Sequence, residues 1–426
     1  MAFCAVRASV IALCKQEKAH SMTAPWRPGA HDWMSLAEAL QPETIALRRA
    51  IHAEPELGVM NPKTTAKVKA ALAGLPLTFK EGPSTTGVIA ILEGAMPGRT
   101  VLLRGDMDAL PMPEDADVPF KSTVDNVMHA CGHDSHTAML VSAAKILCAK
   151  RDQLAGRVMF MFQPGEEGHF GAKFMLDDGL LDDPCPDAAF ALHIMPNAPA
   201  GLFAARAGTM LASSDTIEIT VVGKGGHASM PHDAVDPIPI ACEIVMALQQ
   251  FVTRRIHAHD PIVLTFGKIE AGTTSNVIPE TAYLLGTVRA VSEASRAAAH
   301  AGIQRVASHV ALAHNAHAEV TITKGFPVTV CDPRGFATAQ AAITDLFDET
   351  DWRTMPAPVM GAEDFSYVLQ QIPGAFVFLG VCPEGEDWRS ACPCHSNKMA
   401  LNEAIMARGV AAHCAIAERF LARGFD

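Results

Sequence analysis

The chain lacks any run of eighteen or more consecutive apolar residues, so no membrane-spanning helix is expected. It also lacks an excess of basic charge. Lys and Arg number 34 against 46 Asp and Glu, a formal net charge of -12. A nucleic-acid partner would need a basic face, and this balance argues against one. A disulfide framework is missing too, because the eleven cysteines fall at irregular spacings in a long chain. No internal repeat or low-complexity tract occurs, and no convincing secretory signal. The opening F-C-A-V-R-A-S-V-I-A-L-C is only weakly apolar, carries Arg7 inside it, and is not followed by an A-x-A-like cleavage site. The expected compartment is the cytoplasm. Residues 1–32 read as an unstructured leader, with Met22 as a second candidate start.

What is present is enough chain for two domains: 426 residues, 49% of them hydrophobic. Ser35 to His52 has the apolar spacing of an amphipathic helix, with Leu36, Leu40, Leu47 and Ile51 on one face and Arg48 and Arg49 expected in solvent. Asn61 and Pro62 suit an N-cap and a first-turn proline for a helix through Leu72. Val88 to Glu93 and Thr100 to Leu103 are short apolar runs, and the second leads into R-G-D-M-D-A-L-P. Ser135 to Lys150 reads as a helix with Cys131 and His133 on the loop before it. Arg157 to Gln163 (R-V-M-F-M-F-Q) reads as a buried strand that ends at P-G-E-E-G, and Asp187 to His193 as one that ends on its histidine. Three successive strand ends thus deliver Asp106, Glu166 with Glu167, and His193. Open α/β sheets present functional groups at such ends.

Near residue 210 the texture changes. Thr216 to Val222 alternates, the Gly-rich G-K-G-G-H-A-S-M-P-H follows, and a helix is expected over about 237–256. Alternation returns over 262–269 and 281–290, with a helix over about 292–313 and a closing strand over 318–323. The order β-α-β-β-α-β is a ferredoxin-like split. It interrupts an α/β texture that resumes with a helix near Phe336, a strand over 376–380 and a last helix over 402–421. The expected fold is therefore an α/β catalytic domain with a mixed sheet, interrupted by a smaller ferredoxin-like α+β lid. The catalytic domain is placed over 33–209 and 325–426, the lid over 210–324.

The chemistry concentrates in M-H-A-C-G-H-D-S-H, residues 128–136. Gly132 lets Cys131 and His133 face one point, and thiolate and imidazole are both good donors to divalent transition metals. Glu166, Glu167, His193 and His395 are further donors of the right kind. Neighbouring glutamates point in different directions, so one can bind metal while the other moves a proton. A metal acidifies water, and the second carboxylate takes the proton and later returns it.

Seven ordered motifs carry a resemblance: R-G-D-M-D-A-L-P, A-C-G-H-D, Q-P-x-E-E-G, A-L-H, G-x-G-G-H-A-S-x-P-H, S-N-V-I-P and G-A-E-D-F-S. Together they resemble the M20 family of metallopeptidases, and within it the amidohydrolases of N-acyl amino acids, such as hippurate hydrolases and plant auxin-conjugate hydrolases. The resemblance runs from about residue 40 to the C-terminus. It implies two divalent metal ions per chain and a lid that mediates homodimerisation. It makes Cys131 the shared ligand, with His133, Glu167, His193 and His395 completing the set and Glu166 the general base. Arg104 stands where the broader family has a metal-binding histidine, and Cys131 where it has a bridging aspartate. Asp106 becomes a support to the ligands. His227 is implied as a donor to the oxyanion, and Asn276 and Arg289 as contacts to the substrate's carboxylate. Zinc and manganese lead the metal candidates, then cobalt and nickel.

The motif departs from the subgroup after His395, where S-N-K-M-A replaces an early proline. Cys382, Cys392 and Cys394 cluster there without the spacing of a common zinc module. Three other readings stay open: a dipeptidase or carboxypeptidase of the same fold, a metal-binding protein without catalysis, and an enzyme using Cys131 as nucleophile.

Overall fold

The computed structural model describes residues 32–426; most of the expected leader, residues 1–31, lies outside them. The chain forms two compact units. The larger comprises the described residues up to Gly208 together with Val330–Ala357 and Tyr367–Asp426. The smaller comprises Thr209–Thr329 with Pro358–Ser366. The division expected from sequence had left Pro358–Ser366 in the catalytic part.

The larger unit is built on an eight-stranded mixed sheet. Its strands run, edge to edge, Leu77–Glu81, Val88–Glu93, Ala155–Gln163, Met96–Asp106, Ala188–Met195, Gly374–Gly380, Phe203–Ala205 and Trp352–Thr354. Apolar residues on both faces of Ala155–Gln163 and Gly374–Gly380 explain their burial at the centre, where helices would otherwise compete. Met96–Asp106 pairs in parallel with both Ala155–Gln163 and Ala188–Met195. Their carboxyl ends therefore emerge at one edge, with Asp106 beside Gln163 in register.

Three expectations change here. The strand expected to end on His193 continues to Met195, carried by two more apolar residues paired to the next strand. The helix expected from Ser135 begins at His133, because Gly132 caps it in the left-handed region at φ 81°. A Cβ at Gly132 would meet the Ile194 side chain at 2.6 Å, so only glycine fits this turn. Arg48, expected in solvent, is only 3% exposed. It sits on the helix Trp33–His52 and donates to Asp134 (3.0 Å) and Glu403 (2.7 Å).

The smaller unit has the ferredoxin-like order. Four antiparallel strands lie as Ile262–Ala271, Thr281–Ala290, Asp215–Val222 and His317–Lys324. Helices Pro237–Arg255 and Glu293–Ala313 cover one face, where Ile244 and Ile303 of the helices share a core with Ile217, Ile219 and Leu284 of the sheet. Among the described residues no helix is long and apolar enough to cross a membrane.

Candidate metal centre

The strand ends and the turn at Gly132 bring the expected donors together inside the larger unit. Cys131 Sγ lies 3.4 Å from His193 Nε2. Glu167 Oε1 lies 3.2 Å from His395 Nε2 and 4.0 Å from His133 Nε2. Donor atoms of Cys131, His133 and His193 all fall within 4.8 Å of one another, and so do those of Cys131, Glu167 and His395. Cys131 belongs to both groups. Glu166, His133 and Glu167 form a third group of the same kind. None of the metal-donor groups among the described residues includes Cys382, Cys392 or Cys394.

Each ring is held so that one nitrogen faces this cluster. His133 Nδ1 donates to the Asp108 carbonyl at 2.8 Å, leaving Nε2 buried with no hydrogen-bond partner. His193 Nδ1 donates to the Ile194 carbonyl at 2.7 Å, leaving Nε2 toward Cys131. Such carbonyl anchoring is how a ligating imidazole is fixed in tautomer and direction. His395 takes a left-handed backbone, φ 68°, uncommon for a non-glycine residue and tolerated here while its N–H donates to Ala130 at 2.8 Å.

The residues fit divalent ions. Donors around a four-coordinate zinc, at bonds of about 2.0–2.3 Å, stand about 3.3–3.8 Å apart. The Cys131–His193 separation, 3.4 Å, sits at that spacing, and the Glu167–His395 separation, 3.2 Å, falls just short of it. Two buried donor atoms, His133 Nε2 and Glu167 Oε1, lack any hydrogen bond. Such orphans are costly unless something positive binds them. The His133 and His193 rings feel opposite fields. Burial alone disfavours a charged His133, yet the Asp106, Asp108 and Glu167 carboxylates push its pKa up to about 10. Burial and the His136 and His133 rings hold His193 well below the usual histidine range.

Asp106 is fully buried and committed elsewhere. It pairs with Arg104 and takes the His136 Nδ1 proton at 2.6 Å, while His136 Nε2 accepts the Ile194 N–H at 2.9 Å. His136 therefore has neither nitrogen left for an ion. Arg104 is fully buried and also donates to Gln163 at 2.9 Å. Sequence reasoning missed Asp108. Its two carboxylate oxygens receive the N–H groups of Glu166 and Glu167, both at 2.9 Å, and its carbonyl anchors His133. The signal was the second aspartate of R-G-D-M-D, two residues on and hence on the same face of extended chain.

Behind the cluster, Asp134 continues the motif into a buried ionic network. His52 Nδ1 donates to Asp134 at 2.8 Å and Nε2 to Glu114 at 3.0 Å. Burial opposes the charge on His52, but these carboxylates raise its pKa to about 9. A raised pKa adds stability that is complete below about 6.5, the unfolded value, and lost as pH climbs through about 9. The wild type should therefore lose up to about 3 kcal/mol more stability than His52→Ala between those pH values, read from urea unfolding. Parallel curves for the two proteins would show that His52 is not charged in the fold.

The smaller unit holds the other three expected residues. His227, exposed, pairs with Val277 in a short ribbon beside Asn276. Together with Gly225 and Gly226 they line an open hollow of about 510 Å³. His227 Nδ1 accepts from the Ser229 N–H at 3.1 Å, so in the neutral ring Nε2 carries the proton. Arg289 is not brought to this hollow. It lies half-buried near the far end of the strand Thr281–Ala290, roughly 26 Å along from Thr281 at a rise of about 3.3 Å per residue. Asp215, in register with its neighbour Val288, offsets part of the cost of burying its charge.

Converging donor atoms beside a buried glutamate form a candidate metal centre. The chain belongs to peptidase family M20/M25/M40, whose model matches residues 102–419, and it is a hydrolytic enzyme acting on amides. It is similar to thermostable carboxypeptidase 2 of Saccharolobus solfataricus, 38% identical over 88% of this chain and 95% of that one. It is 36% identical to an IAA-amino acid hydrolase (ILR1-like 2) of Arabidopsis thaliana, over 92% of this chain and 86% of the relative. Among solved structures it resembles a dinuclear metal binding peptidase of family M20 from Bacillus subtilis. That likeness has a TM-score of 0.77 at 32% identity, over 90% of this chain and 99% of the other.

Proposed function

We propose that the chain hydrolyses the amide bond of N-acyl amino acids of hippurate type, releasing a carboxylic acid and a free amino acid. In this reading Cys131, His133, Glu167, His193 and His395 hold two divalent ions, zinc or manganese first, with Cys131 between them. The observation that carries it is the membership of Cys131 in two donor groups that meet beside Glu166. Likeness to the Bacillus subtilis peptidase, itself a dinuclear metal binding protein, supports the same count.

Ions held there would supply Lewis acidity toward water and the acyl carbonyl. Glu166, 6% exposed and fixed through its N–H to Asp108, takes the proton as water adds to the carbonyl carbon. It returns that proton to nitrogen as the C–N bond breaks. His227 Nε2–H donates to the carbonyl oxygen as its negative charge grows. Asn276 and Arg289 bind the substrate's carboxylate, the arginine by two parallel hydrogen bonds. Since His227 and Arg289 sit near opposite ends of one lid sheet, a single site using both draws them from two chains. We therefore include a lid-mediated homodimer in the proposal.

A second reading, a carboxypeptidase or dipeptidase, is favoured by the carboxypeptidase relative. Turnover of N-benzoyl- and N-acetyl-amino acids against free-amine dipeptides decides. The proposal expects kcat/KM higher for the acylated panel, and the reverse order would replace it with the second reading.

A further inference from the structure

Cys394 belongs to no motif, yet the fold sets it against the centre. The bond from His395 N–H to the Ala130 carbonyl, 2.8 Å, lays the segment carrying Cys394 alongside that carrying Cys131. Cys394 Sγ lies 4.0 Å from the Cys131 carbonyl and 3.9 Å from that of Ile194. The two thiols face each other within side-chain hydrogen-bonding reach. Cys131 is 7% exposed, while Cys394 is half-buried and open to a small oxidant.

We propose that Cys131 and Cys394 are an oxidation site, closing to a disulfide under peroxide and so removing the Cys131 sulfur from the donor cluster. That loss of a donor rests on the ligand role proposed above for Cys131. The Cys394 sulfur attacks one peroxide oxygen; the O–O bond breaks, giving a sulfenic acid and one water. The Cys131 sulfur then attacks the Cys394 sulfur, the S–S bond forms, the S–O bond breaks, and the second water leaves with the Cys131 proton. Two thiols and one hydrogen peroxide become one disulfide and two waters. The thiolate is the form that ligates, so a disulfide sulfur is lost as a donor. A thiol reductant restores it.

The test uses the full chain, reduced, stripped of metal and treated with a few equivalents of hydrogen peroxide. Non-reducing peptide mapping should give a Cys131–Cys394 linked peptide, about two mass units below the sum of its parts and abolished by dithiothreitol. Titration with zinc alone should then show affinity weakened about tenfold or more, restored on reduction. Cys394→Ser should give no linked peptide and keep its zinc affinity after the same dose; Cys242→Ser, at an exposed cysteine, should behave as wild type. No linked peptide in the wild type, with equal loss of zinc affinity in Cys394→Ser, would overturn the proposal. A linked peptide that leaves zinc affinity unchanged would contradict the ligand role of Cys131 and leave the oxidation site standing.

Discussion

Glu166→Gln is expected to bind its metal as the wild type does and to turn over about 10²–10⁴ times more slowly. The amide has the shape of the carboxylate, and the Glu166 N–H would still reach Asp108, so the turn after the strand should persist. Glu167, the expected ligand, keeps its own N–H bond to the other oxygen of Asp108. The variant loses only the ability to take a proton at neutral pH. The comparison is of kcat with metal content measured on the same sample. Near-wild-type kcat at full metal occupancy would take the base role away from Glu166.

His227→Ala should also fall far, by about 10²–10³ in kcat if its Nε2–H meets the growing oxyanion. Its exposure and its distance along the lid from Arg289 make the composite site of two chains the more informative claim. Mixing inactive His227→Ala with inactive Glu166→Gln subunits should restore activity. In a mixed dimer one site draws its base from the first chain and its histidine from the second. Recovery should approach half the wild-type rate per mixed dimer. Background activity after verified subunit exchange would place His227 in its own chain's site, or in none.

The fold was largely legible because two periods dominate the chain. Short two-sided apolar runs bounded by turn residues, such as R-V-M-F-M-F-Q before P-G, read as interior strands, and the alternation at Thr216–Val222 marks a sheet with one open face. What escaped was long-range or glycine-driven. Arg48 looks like a solvent residue until Asp134, 86 positions away, and Glu403 are seen to bracket it. The helix start at His133 was hidden because Gly132 carries no capping side chain. Pro358–Ser366 has no periodicity to say which unit it joins. At the centre, residue types with unusual ligand chemistry stood out, whereas Asp108 did not. Its work is done through backbone amides and a carbonyl, which leave no mark in composition.

The central claim is that five side chains hold two divalent ions with Cys131 shared between them. Metal stoichiometry of wild type and Cys131→Ala, by elemental analysis of gel-filtered protein loaded with zinc or manganese, tests it most directly. About two ions per chain are predicted for the wild type, and a clear fall for the variant, since one lost thiolate weakens both positions. An unchanged metal-to-protein ratio in Cys131→Ala would contradict the account and leave Cys131 a buried structural thiol.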